Sequence, residues 1–327
     1  MRAFLAAVSA VLLTSGLAFA ETIKVVPGEG TPLQDALDQA QDGDVIVVKK
    51  GTYNETLSMV GRSDITIIGK GKPVIDATGL GGALYFEAVD GLTVSGLVIR
   101  NSSSDGIHTY ECSNVVISKC TIEDCLDSGT EDYESDGIVI EKNRIARVAW
   151  GVKVSYNDST GSTGIRVSKN RMTEVTGVGI QFAGNGAVVE KNRIEIDVGG
   201  NQGTGIIVDD SAPWTGAGIR SNRIAAAGDG MQDGITLSGG NHELLKNTVL
   251  NPRGYGIEVD GDGGNEVEKN TVKGAGISGI WVDSTGNSFS KNKVSGSVDF
   301  DLESAVEEAV NTFVKNKFGT TFFPAPK

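Results

Sequence analysis

His108, Lys153 and Tyr156 flank, in sequence, a run of fourteen residues from Glu123 to Asp136 that holds seven acids and no base: Glu123, Asp124, Asp127, Glu131, Asp132, Glu134 and Asp136. An imidazole, an amine and a phenol beside a bound cation are the parts needed for β-elimination from a uronate. One group takes the C5 proton, another protonates the leaving oxygen, and the cation stabilises the developing enolate. Asp124, Asp127, Glu131, Asp132, Glu134 and Asp136 are the candidate oxygen ligands, and Ca²⁺ is the ion that such a carboxylate-rich segment suits. The simpler reading of the same stretch is a solvated acidic loop. Hydrolysis would instead need two carboxylates at a fixed gap, and Asp105 with Asp124 is the pair available for it.

A second group is basic. Arg144, Arg171, Arg193 and Arg223 each follow an asparagine, and Lys142, Lys169 and Lys191 precede the first three of those asparagines. A row of guanidinium groups matches the carboxylates or sulfates of an acidic glycan. Surface charge interleaved with neighbouring acids is the alternative. Trp214, in the longest interval of the repeat, and Trp281, on an outward strand position, are the aromatic candidates for stacking on a sugar.

What must hold these residues in place is a repeat. The phrases EKNRI, SKNRM, EKNRI, RSNRI, LKNTV, EKNTV, SKNKV and VKNKF put asparagine at 143, 170, 192, 222, 247, 270, 292 and 316, which are 27, 22, 30, 25, 23, 22 and 24 residues apart. Cys120 occupies the same slot ahead of Asn143. An apolar residue stands three before each asparagine and another two after it. A Gly-Ile-x-Val phrase lies upstream in most repeats, as in 179–182, 205–208, 234–237, 256–259 and 279–282. Alternation over such short runs, rich in β-branched residues and broken by Gly or Asn, reads as strands. The period marks a stacked solenoid. Three short strands per repeat, layered at about 4.8 Å, make a parallel β-helix, and strand twist makes it right-handed. About ten to eleven coils are expected. The asparagines should stack in columns, and the Gly-Ile-x-Val strand should send His108, Lys153, Gln181, Ile207, Thr236, Glu258 and Trp281 outward.

The ends and the composition limit the setting. Residues 1–20 read as a signal peptide, with Arg2, an apolar stretch and Ala18-Phe19-Ala20 before the cleavage point, so a secreted or periplasmic chain with one β-helix domain over 21–327 is expected. No later stretch is long and apolar enough to span a membrane. Thr31-Pro32 begins an amphipathic helix near 32–41 whose face of Leu33, Ala36, Leu37 and Ala40 would cap the stack. The net charge of −13 argues against nucleic acid as a partner. Cys112, Cys120 and Cys125 share one repeat, so one disulfide would leave one thiol over; Cys120 as a buried thiol is the plainer reading.

The stretch LQDALDQAQDGDVIVVKKGTY with DITIIGKGKPVIDATG, and the coil phrase GIHTYECSNVVISKCTI, resemble the pectate-lyase-like superfamily of right-handed β-helix proteins. The resemblance implies the fold over the whole mature chain. Its members include pectate and alginate lyases, polygalacturonases, mannuronan epimerases and phage tailspikes. The Gly-His-Gly and Arg-Ile-Lys of polygalacturonases, the Asp-Pro-His of epimerases and the Arg-x-Pro-x-x-Arg of pectate lyases are absent from this sequence. The resulting expectation is a protein that binds or acts on an acidic polysaccharide, with a lyase the favoured class if it is an enzyme; the rival is a non-catalytic surface, adhesion or periplasmic scaffold.

Overall fold

A computed structural model describes residues 20–154, 161–197, 203–209, 212–228 and 230–325; the expected signal peptide lies outside them, apart from Ala20. The described strands form three parallel sheets of thirteen, eleven and twelve strands, and the chain climbs one layer per repeat for about twelve turns. The first sheet holds the strands that precede the asparagines, from Thr22–Val25 to Thr312–Val314. The second holds those that follow them, from Thr52–Tyr53 to Lys293–Ser295. The third holds the Gly-Ile-x-Val strands, from Leu57–Val60 to Thr321–Phe322. The turn count slightly exceeds the ten to eleven expected, and the earliest coils lack the asparagine phrase.

Alternation decides the core. Ile122, Ile145, Met172, Ile194, Ile224, Val249, Val272 and Val294, each two past the repeat position, are buried, and the arginines one past it are exposed. The asparagines form one continuous column. Each backbone N–H from Cys120 and Asn143 through Asn292 donates to the Oδ1 of the next asparagine at 2.8–3.0 Å. From Asn143 on, each Nδ2 donates to a carbonyl one layer below, as Asn170 does to Ile140. The residue before each asparagine, usually lysine, takes the left-handed conformation that makes the corner, with φ of 55–58°. A second column, His242, Asn265, Asn287 and Asn311, runs along another corner of the later coils.

The glycines of the third-sheet phrase also stack. A Cβ added at Gly234 would lie 2.3 Å from the Gly256 carbonyl oxygen, and one at Gly205 would lie 2.5 Å from that of Gly234. Close passage of one coil over the next therefore excludes a side chain at this corner.

At the N-terminal end the helix Pro32–Gln39 covers the stack with Leu33, Ala36 and Leu37 buried, and Ala40 just past it is buried as well. Thr31 stands at the N-cap without a side-chain cap bond. Glu55 caps the helix instead, its carboxylate accepting from the N–H groups of Leu33 at 3.1 Å and Gln34 at 2.8 Å.

The acidic stretch differs from expectation. It is not a loop: Ser128–Tyr133 is a third-sheet strand, paired between Ile107–Tyr110 and Trp150–Val154. Successive strand residues face opposite ways, so Glu131 points outward and Asp132 points into the core. The three cysteines are free, buried thiols at separate corners. Burial pushes the Cys120 thiol up to about 11 and that of Cys125 to about 12, which leaves both inert.

Candidate functional site

Strand pairing lines up one outward ridge on the third sheet. Its members in order are Tyr85, His108, Glu131, Lys153, Gln181, Ile207, Thr236, Glu258, Trp281 and Glu303. His108 and Lys153 thus meet through Glu131, which sits between them. Lys153 Nζ lies 2.8 Å from Glu131 Oε1 and 3.4 Å from Asp127 Oδ2. It also sits 4.8 Å from the centroid of the Trp150 ring, a cation–π contact. His108 Nδ1 lies 3.5 Å from Glu131 Oε2 and 3.3 Å from Asp105 Oδ2.

Further donors complete the two carboxylates. Asp105 Oδ1 accepts the Ser128 N–H at 3.0 Å, and Glu131 Oε1 accepts the Tyr133 hydroxyl at 3.1 Å. Tyr85 stacks on the imidazole at 5.3 Å, and Tyr133 flanks it at 5.8 Å. Asp105, Glu131 and Lys153 are buried; the His108 side chain keeps 22% of its surface. It is the cluster's most accessible ion apart from Asp127.

This arrangement sets the protonation states. Burial alone would lower the His108 pKa, but the hydrogen bonds and charges of Asp105 and Glu131 outweigh it and raise the pKa to about 9. Burial opposes the ionised form of Glu131, yet His108, Asp105 and Lys153 hold its carboxyl well below the usual range. Asp105 goes the other way, raised by burial and by the neighbouring Glu131. Lys153 loses by burial and gains more from Glu131, so it stays an ammonium. The hydroxyl of Tyr133 is held protonated by burial and by Glu131. Of the acid and base roles open to it, His108 at neutral pH therefore suits that of proton donor and positive charge.

Linkage gives the pH dependence. A raised histidine pKa contributes stability that is fully present below the unfolded value of 6.5 and is lost as pH rises through about 9. The melting temperature should fall across that window, and His108→Gln should remove most of the fall. A profile unchanged by the substitution would disprove the assignment.

The other expected site residues are dispersed. Asp124 pairs with Arg147 at 2.6 Å on the second-sheet side. Asp136 accepts from the N–H and hydroxyl of Thr163 at 3.0 and 2.7 Å. Glu134 is an exposed corner residue with φ of 51°. Asp132 lies inside the stack, where Thr109 Oγ1 donates to it at 2.5 Å and burial raises its pKa to about 6. Asp127 alone of the rest stays near Glu131. These six carboxylates do not converge into a calcium shell of six to eight oxygens. Among the described residues the group of three ligand-type side chains that does converge is Asp105, His108 and Glu131, whose ligand atoms lie within 4.8 Å of one another. Asp105 accordingly pairs with Glu131 and not with Asp124.

Arg144, Arg171, Arg193 and Arg223 form a ladder in direct register on the second sheet, away from the His108 ridge. Among the described residues none of the four makes an ion pair. Trp281 lies at the far end of the ridge. Trp214 does not offer a ring to solvent: it is 5% exposed and closes over Gly161, where a Cβ would lie 2.5 Å from its ring. Tyr156 lies outside the described residues. Sequence reading missed Tyr85, Tyr133 and the Glu131 bridge. For Glu131 and Tyr133 the signal was the 23-residue spacing of the phrases GIHTY and GTEDY, each Gly-x-x-x-Tyr; Tyr85 lies in no such phrase.

Known proteins share this architecture. A cell surface glycoprotein of Methanothermus fervidus is 25% identical over 333 residues, covering 95% of this chain and 53% of that protein; the chain spans about half the length of that curated relative. The crystal structure of an alginate lyase from Paenibacillus sp. superposes with a TM-score of 0.61 at 19% identity, covering 92% of this chain and 99% of the other. The receptor-binding tailspike protein of bacteriophage Det7 gives 0.62 at 14% identity, covering 94% and 77%. The family model described as a right handed beta helix region matches residues 52–224 and 189–321. With three parallel sheets wound through the same residues, the chain belongs to the right-handed β-helix family.

Proposed function

We propose that the protein binds a polysaccharide along the third-sheet ridge and cleaves it beside His108. The observation that carries this reading is the ion cluster of Asp105, His108, Glu131 and Lys153, built across three coils of one face. Burying such ions costs several kcal/mol each before their attraction offsets it. A solenoid serving as a spacer has no use for them. Perturbed carboxyl and imidazole groups gathered at one outward place are what an acid–base centre requires.

His108 is the proton donor in this reading. Its imidazolium protonates the leaving glycosidic oxygen, and its charge, with the Tyr133 hydroxyl, stabilises negative charge as it develops. Elimination from a uronate is the first choice: the ionised Glu131 carboxylate takes the C5 proton as the bond to the glycosidic oxygen breaks and His108 protonates that oxygen, and the arginine ladder one sheet away suits a polyanion. Retaining hydrolysis is a second reading, favoured by one observation: the environment pushes the Asp105 and Glu131 carboxyls apart, one toward the acid and one toward the ionised form. The alginate lyase and tailspike likenesses support a glycan as ligand, and the surface-glycoprotein relative supports a secreted or periplasmic setting.

Incubation of the purified protein with alginate, polygalacturonate and a neutral glucan tests the proposal. Elimination leaves an ultraviolet-absorbing double bond at the new non-reducing end; hydrolysis yields reducing ends without it. His108→Ala is expected to lower the rate by at least about 100-fold. If the wild-type protein retains polymer but cleaves none, the scaffold reading replaces this one.

A further inference from the structure

We infer that the ridge carries a second carbohydrate subsite, a platform made by Tyr255 and Trp281 that takes the apolar face of an uncharged sugar ring. This extends the polysaccharide reading, and rests on it for the kind of polymer. The two rings stack with centroids 5.6 Å apart and planes at 26°. Both are half-buried, so part of each side chain stays accessible. Trp281 stands on the same ridge as His108, seven coils on, which is roughly 34 Å at the strand-pairing distance. Tyr255 directly precedes Gly256 of the stacked glycine corner, as Asp105 precedes Gly106. The two centres thus use equivalent positions of different coils.

Two carboxyl groups edge the platform. Glu258 neighbours Trp281 on the ridge and accepts from the Thr236 hydroxyl at 3.2 Å. Asp233 lies one coil before Tyr255 and accepts its N–H at 2.7 Å. In contrast to Glu131, neither makes an ion pair with a lysine, arginine or histidine among the described residues. Burial raises the pKa of both. Their carboxyl oxygens accept from the sugar hydroxyls around an apolar ring face. The same carboxyls, without a cation beside them, would repel a uronate. The His108 centre has its cations, whereas among the described residues the platform's carboxyls make no ion pair. The glycan that fits both is a mixed polymer, with an acidic residue near His108 and an uncharged residue over Trp281.

Affinity electrophoresis of the full chain through gels containing gellan, which mixes uronate with neutral sugars, or polygalacturonate, which does not, separates the possibilities. Trp281→Ala is expected to bind gellan at least about tenfold more weakly, or about 1.4 kcal/mol, with polygalacturonate retention unchanged. Trp281→Phe keeps a ring and should retain most of the affinity, which guards against a folding defect in the alanine variant. Equal gellan retention by wild type and Trp281→Ala, with loss in His108→Ala, would overturn the platform and leave the His108 centre standing. Loss in Trp281→Ala with full retention by His108→Ala would do the reverse. A wild-type protein retained by neither polymer would overturn both.

Discussion

Lys153→Met is expected to destabilise the protein by about 3 kcal/mol, the size usual when one partner of a buried ion pair is removed. Methionine fills much the same space, so the loss is electrostatic and not a cavity. Glu131 Oε1 would lose its ammonium at 2.8 Å and keep the Tyr133 hydroxyl, while Oε2 would keep His108 at 3.5 Å. The carboxylate is 6% exposed, too little for water to replace the missing charge. Adding Glu131→Gln to Lys153→Met should recover part of the loss, because the orphaned charge goes with it. Urea denaturation of the two variants decides the matter. A cost below about 0.5 kcal/mol for Lys153→Met would mean that the pair is solvated as a surface pair is.

A comparable loss, also about 3 kcal/mol, is expected for Asn222→Ala. Its Oδ1 accepts the Asn192 N–H at 2.9 Å and the Asn192 Nδ2 at 3.1 Å. Its own Nδ2 donates to the Val189 carbonyl at 2.8 Å and to Asn247 Oδ1 at 3.1 Å. Alanine would leave the buried Asn192 N–H without its partner and remove one of the bonds to the Val189 carbonyl, losses of about 1–3 kcal/mol each. Asn222→Asp keeps the acceptor and loses the donor, so it should still be destabilising. A urea midpoint equal to that of the wild type would refute the ladder as a source of stability.

The fold was legible because its rule is local and repeated. Apolar residues flank each asparagine at fixed offsets, and that offset alone placed Ile145 inside and Arg144 outside. The second column escaped notice because His242, Asn265 and Asn287 sit in variable phrases, although each stands two residues before an inward apolar residue. The candidate site was half legible. His108 and Lys153 stood out by type, but the strand between them was hidden. Its inward slots hold Thr130 and Asp132, where an apolar alternation was sought. The core tolerates Asp132 because Thr109 and Ser162 bond to it. Counting acids along 123–136 pointed to one ion site, yet a strand sends neighbours to opposite faces and its turns send Asp124 and Asp136 to different corners. Trp214 read as exposed because it lies in an insertion. The bare Gly161 that receives its ring is remote in sequence and carries no pattern of its own.

The asparagine column has a consequence for the reach of the ridge. Each carboxamide is satisfied by the coil on either side and by nothing farther away, so a coil behaves as an interchangeable tile. Inserting one tile between Gln181 and Glu258 would leave every hydrogen bond of the column formed. It would also move Trp281 one strand spacing farther from His108. The separation between the two ends of the ridge is therefore a whole number of coils, adjustable without redesigning either end. Reach in this molecule is counted, not shaped.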